Sequence, residues 1–135
     1  MANQTKVYGY EVRSPYQSEL LYFHANPHVG GMAAEDGRII LNPISTLKPD
    51  EQMAVARNEA ARLYMRENKL VPNFDITPEQ KAAFATTEYG SAQNEPHLKS
   101  TIAARILTGD PSVGSATQQQ KEYAAWLQSQ LDARK

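Results

Sequence analysis

The residues of this chain best placed to do chemistry stand in one short run, Asn58-Glu59-Ala60-Ala61-Arg62. On a helix, residues four apart share a face. Two histidines in the outer positions would close on one zinc ion, and the glutamate between them would act as general base on the metal-bound water. Two substitutions separate this run from that His-Glu-x-x-His pattern. Asparagine is a poor zinc ligand. Arginine carries its own positive charge, donates hydrogen bonds only, and repels a dication. Two readings of Glu59 follow. It is either the remaining member of a catalytic set or one half of a surface pair with Arg62 or Arg66, which contributes a few tenths of a kcal/mol.

Other candidates are weaker. His24 and His28 are four apart but straddle Pro27, so they do not share a continuous helix. With His97 they are the candidate ligands of a three-histidine metal site; otherwise they are polar residues of a helix end and a loop. Glu35 and Asp36 are adjacent carboxylates, and the Gly37 that follows marks a turn. The stretch LTGDPSVGS has the glycines of a phosphate loop without its Gly-Lys-Ser/Thr end, and it follows a helix, so it reads as a helix stop and a turn. There is no Gly-x-Ser-x-Gly elbow. The expectation is a chain with no cofactor, no resident metal and no catalytic residue. Tyr8, Tyr10, Tyr16, Tyr22 and Trp126 are the candidate partner-binding residues, because aromatic side chains are enriched both at interfaces and in small cores.

Position depends on the elements that carry these residues. Residues 6–13, KVYGYEVR, have strand composition weakened by Gly9. Ser14, Pro15 and Gln17 fit the N-cap, N1 and N3 slots of a short helix that ends before Pro27. Residues 29–33 and 38–41 read as the arms of a β-hairpin turned by Glu35-Asp36-Gly37. Pro49 opens a helix to about Glu67, with Met53, Ala56, Ala60, Leu63 and Tyr64 on one face. Thr77-Pro78-Glu79-Gln80 is a capping box that opens a helix to about Thr86. A helix from Pro96 to about Leu107 carries Leu98, Ile102 and Ile106, and Gly109 stops it. Thr117 and Gln120 form a further capping box, and the last helix places Tyr123, Ala124, Leu127 and Leu131 on one face with Trp126 beside it. The fold class expected is α+β: a small β-hairpin or sheet in the N-terminal third, then about four helices, in a single domain over residues 1–135.

Composition narrows the partners. The chain has 135 residues, 41% of them hydrophobic, which suffices for a modest core. A formal net charge of -1 gives no basic excess for a phosphate backbone, so no nucleic acid is expected. With no cysteine, disulfides, thiolate zinc sites and cysteine nucleophiles are excluded. No stretch has the roughly 18 apolar residues of a membrane span. The opening MANQTKVYGYEV lacks the apolar block of a signal peptide. The expected place is the cytoplasm, or a particle assembled there.

Two resemblances add to this reading. GRIILNP followed by the helix of Asn58-Glu59-Ala60-Ala61-Arg62 is similar, over residues 29–67, to the edge strand and active-site helix of zincin-like peptidases. That resemblance puts Glu59 at the catalytic glutamate and Asn58 and Arg62 at the two ligand positions. GGMAAEDGRIILNP, NEAARLYMRE, FDITPEQKAAF and STIAARILTGDPS together resemble small proteins and modules of tailed phages and prophages. This implies a structural or interaction protein, a virion component or assembly factor, that binds other phage proteins or itself. The alternatives are a degenerate zincin-like metallopeptidase and a host-directed inhibitor.

Overall fold

A computed structural model describes residues 6–84, 95–110 and 113–134. Its order is β1 (Lys6–Val7), β2 (Tyr10–Arg13), α1 (Gln17–Ala25), β3 (Gly31–Ala33), β4 (Ile39–Leu41), α2 (Pro49–Glu67), α3 (Pro78–Phe84), α4 (Glu95–Thr108) and α5 (Gln118–Asp132). The α+β expectation holds: a small four-stranded sheet lies in the N-terminal third, and four of the five helices follow it.

The strands lie in the order β1-β2-β4-β3. β1 and β2 are antiparallel, β2 and β4 parallel, and β4 and β3 antiparallel. The stretch 6–13 is therefore two strands, not one. Tyr8 and Gly9 both take positive φ, 53° and 81°, which makes the two-residue turn that suits a tight hairpin. A tyrosine is strained there, and its side chain supplies the reason for its presence. The Tyr8 hydroxyl accepts hydrogen bonds from Arg57 Nε (3.1 Å) and Gln128 Nε2 (2.9 Å), while its carbonyl accepts from Arg134 Nε (2.9 Å). Tyr8→Phe keeps the ring and deletes the hydroxyl. It is expected to lower stability by about 1–2 kcal/mol, read as a shift of the urea midpoint at unchanged slope.

Ile39 and Ile40 are both fully buried although neighbours on a strand point to opposite faces. The sheet is thus covered on both sides. Ile39 joins the main core with α2, α4 and α5, and Ile40 joins a second cluster with Phe23 of α1 and Ala34. The short α1 is capped by Glu19, whose carboxylate accepts from the Tyr16 N–H at 2.7 Å. The N-cap is therefore Tyr16, two residues later than the Ser14 box implied, because Glu19 also forms a two-bond pair with Arg13 (2.8 and 2.8 Å) that fixes it beside the sheet.

α2 runs from Pro49 to Glu67 as its proline and periodicity imply. It packs against β3 and β4 on one side and α4 and α5 on another. Ala56, Ala60 and Leu63 are buried as expected, but Met53 is exposed. The Gly37 turn forms as expected, with φ +83° and Ala34 N–H bonded to the Arg38 carbonyl at 2.8 Å. Asp36 is held there by Arg38 (2.9 Å) and Arg13 (3.3 Å), so it is not available as an acid/base partner for Glu35. Among the described residues no helix is long and apolar enough to cross a membrane.

Candidate functional site

A cleft opens between β3 and the polar faces of α2 and α4. It has two lobes of about 510 and 530 Å³, and Val29, Gly31, Glu59 and Arg62 line both, so Glu59 and Arg62 stand at its waist. The helical repeat explains the α2 wall: Val55, Asn58, Glu59, Arg62 and Arg66 fall at i, i+3, i+4, i+7 and i+11, on the face turned away from Ala56, Ala60 and Leu63. His97 and Ser100 of α4 close one lobe; Arg105, Thr108 and Asp110 close the other.

β3 is brought close to α2 by its glycines. A Cβ on Gly31 would meet the Ile40 carbonyl oxygen at 2.7 Å and Val55 Cγ1 at 3.0 Å, and one on Gly30 would meet Val55 Cγ2 at 2.9 Å. A side chain at Gly31 would press on the β4 backbone as well as on Val55 and so shift the strand, whereas one at Gly30 would meet only the side chains of Val55 and Leu47.

Arg62 is engaged inside the protein. Its Nε donates to Asn58 Oδ1 at 2.9 Å, one turn back, and its NH1 lies 3.3 Å from His97 Nε2. A guanidinium only donates, so in this contact His97 accepts at Nε2. Arg66 donates to the Ala34 carbonyl and ties α2 to the end of β3. Arg105 Nε and Asp110 Oδ2 lie 3.9 Å apart.

Glu59 differs from these neighbours. Among the described residues its carboxyl group makes no hydrogen bond and no ion pair. Burial pushes its carboxyl up from the usual 4.5 to about 7, and the nearby positive charge of Arg62 holds the shift back. The sign of the pH effect follows. Below 4.5 the group is protonated in folded and unfolded chain alike; from there to about 7 the folded chain keeps a proton that the unfolded chain has lost, so stability falls as pH rises. Above that range the penalty is complete. Glu59→Gln keeps the shape without the charge. It is expected to stabilise the protein by about 2–3 kcal/mol at about pH 8 and by little near about pH 4. Thermal melts across that range check it, and an unchanged slope of stability with pH would refute the assignment.

The structure separates the other candidates. Of the three histidines, His97 alone lines the cleft; His24 and His28 are exposed, on α1 and just after it. Among the described residues no three His, Asp or Glu side chains gather in a way that could hold a metal ion. Tyr10 is 3% exposed and its hydroxyl donates to Glu67 (2.9 Å), which makes it a core residue and removes it from the interface candidates. Tyr8 is partly buried and spent on its turn. Tyr16, Tyr22 and Trp126 are exposed, and Tyr22 stands at the rim of the cleft. Arg105, Ser100 and Asp110 were not singled out from the sequence. The polar residues of α4 at helical spacing, His97, Ser100 and Thr108, were the available signal.

No family model, no curated protein and no solved structure matches the chain.

Proposed function

We propose that this chain is a non-enzymatic interaction protein, a virion component or assembly factor of a tailed phage, and that it holds a protein partner in the cleft of Glu59 and Arg62. The observation that carries the reading is the bonded series Asn58–Arg62–His97. In it the positions where a peptidase would place zinc ligands are occupied by an amide and a guanidinium that satisfy each other. A half-buried glutamate beside an arginine held by Asn58 and His97 can recognise polar groups without turning them over. The phage setting comes from the sequence resemblance, and the protein would act in the host cytoplasm during assembly or in the particle itself.

The test is capture of the tagged chain from infected cells and from released particles, with identification and counting of what accompanies it. Stoichiometric recovery with capsid, portal or tail proteins is the expected result. Recovery with one host protein alone would instead make the chain an inhibitor. A second reading has one observation in its favour: an antiparallel edge strand, β3, runs beside the helix that carries Glu59, as in a zincin-like shape. Peptide hydrolysis by the purified protein, lost in Glu59→Gln, would establish that reading and end the first.

A further inference from the structure

Resting on the reading of the cleft as a protein-binding site, we propose that it takes an extended segment of a partner protein, which pairs with the open edge of β3 and sets a serine or threonine hydroxyl on the carboxyl group of Glu59.

The register of β3 dictates the extended form. Gly30 gives its carbonyl to the Asn42 N–H (2.9 Å), Met32 pairs with Ile40, and the Ala34 N–H donates to the Arg38 carbonyl (2.8 Å). Alternate residues of a strand turn their backbone groups to opposite sides, so those of Gly31 and Ala33 point away from β4. Among the described residues no strand lies on that side and no hydrogen bond reaches those groups. Both residues line the cleft. An unpaired edge beside a cavity is the geometry that accepts one more strand.

The faces of β3 place the incoming side chains. Met32 packs with Phe23 on the α1 side of the sheet. Ala33 packs against the main core, and a Cβ on Gly31 would meet Val55 of α2. Residues of the new strand opposite Gly31 and Ala33 share their face, and so turn toward α2. Val55 stands one turn before Glu59, which lies where the two lobes meet.

Glu59 sets what is recognised there. Arg62 is held by Asn58 and His97, and Arg66 donates to the Ala34 carbonyl, whereas the Glu59 carboxyl group has no partner among the described residues. A strand in the cleft would exclude water from that carboxyl. An apolar side chain facing it would leave it unbonded, a cost that a hydrogen-bonding side chain avoids. Burial brings the carboxyl to titrate at about 7, so its partner has to serve both forms. A hydroxyl donates to the carboxylate and accepts from the protonated group; an ammonium group only donates. Threonine also suits a strand.

The probe is a pair of capped pentapeptides of alanine and valine, alike except for a central threonine or a valine of the same shape, titrated into the isotope-labelled full chain. The threonine peptide is expected to shift the Gly31 and Ala33 amide signals, to slow their exchange, and to bind about tenfold more tightly than the valine peptide. The preference is expected on both sides of the Glu59 titration. Glu59→Met, similar in length and without the carboxyl, binds both peptides alike and still responds at Gly31 and Ala33. Equal binding of the two peptides by the parent chain overturns the proposal, as does a threonine preference that survives in Glu59→Met. So does the absence of any response at Gly31 and Ala33. A chain that enters particles with its partners yet binds neither peptide loses this site and retains the reading above. One that prefers the threonine peptide but captures no phage protein keeps the site and loses the phage assignment.

Discussion

Gln120→Ala is expected to destabilise the protein by on the order of 4 kcal/mol, far more than a polar-to-alanine change on a helix surface. Gln80 and Gln120 are both fully buried. Each is the third residue of its own capping box. The Thr77 N–H donates to Gln80 Oε1 (3.0 Å), and the Thr117 N–H donates to Gln120 Oε1 (3.1 Å). The two amides then pair with each other, each Nε2 donating to the other's Oε1 at 2.8 Å, and Gln120 Nε2 also donates to the Asp75 carbonyl (2.9 Å). Both hydrogens and both lone pairs of the Gln120 amide are used. Alanine would strand the Gln80 amide, the Asp75 carbonyl and the Thr117 N–H at once, each costing about 1–3 kcal/mol if left dry. Urea unfolding of both single variants and the double variant is the measurement. The double variant should lose clearly less than the sum of the singles. Additive losses below about 1 kcal/mol each would show that the pair contributes little.

Leu127→Asp should have the larger effect and leave no stably folded protein, a loss of more than about 5 kcal/mol. Leu127 has no exposed surface and sits in the main core with Leu131 and Ile102. Among the described residues no buried cation could meet a carboxylate there, and aspartate leaves part of the leucine's volume unfilled. Leu127→Ala, expected to lose about 2–5 kcal/mol, isolates the packing part. Trp126→Asp, on the exposed neighbouring residue, should stay within about 1 kcal/mol of the parent. Far-ultraviolet circular dichroism and recovery in the soluble fraction decide the matter; a soluble, cooperatively melting Leu127→Asp would put the buried face of α5 elsewhere.

Much of this architecture was legible because it is written locally. Pro49 and the alanine-leucine spacing delimit α2, Gly109 with φ +75° stops α4, and the Thr77 and Thr117 boxes open α3 and α5. Asp36-Gly37 marks the hairpin of β3 and β4. Where local signals were weak, tertiary contacts decided. Tyr-Gly is a poor advertisement for a tight turn, so the break at Tyr8 was hidden; the turn is stabilised by Arg57, Gln128 and Arg134, which no window around it contains. Tyr10 was grouped with surface aromatics because nothing nearby in sequence shows that α2 and Glu67 cover it. Leu20, Leu21, Tyr22 and Phe23 define no helical face, and only Phe23 is buried. The site follows the same rule. Glu59 and Arg62 could be found on one helix face from spacing alone. That His97 meets Arg62, and that burial raises the Glu59 carboxyl, depends on how α4 and β3 close over α2.

The anchoring of the first hairpin also bears on the order of events in a growing chain. Gln128 and Arg134 reach Tyr8 across 120 and 126 positions of sequence. Contacts of such span carry the greatest loop-closure cost and raise the contact order of the whole domain. While the chain is being synthesised, α2 can coil and β3 and β4 can pair as soon as they leave the ribosome. The strained Tyr8 turn has to wait for α5. Until then β1 is an edge strand held through Tyr8 by Arg57 alone, the kind of surface that chaperones cover and that aggregation exploits. β1, made long before α5, is thus fully locked only after it.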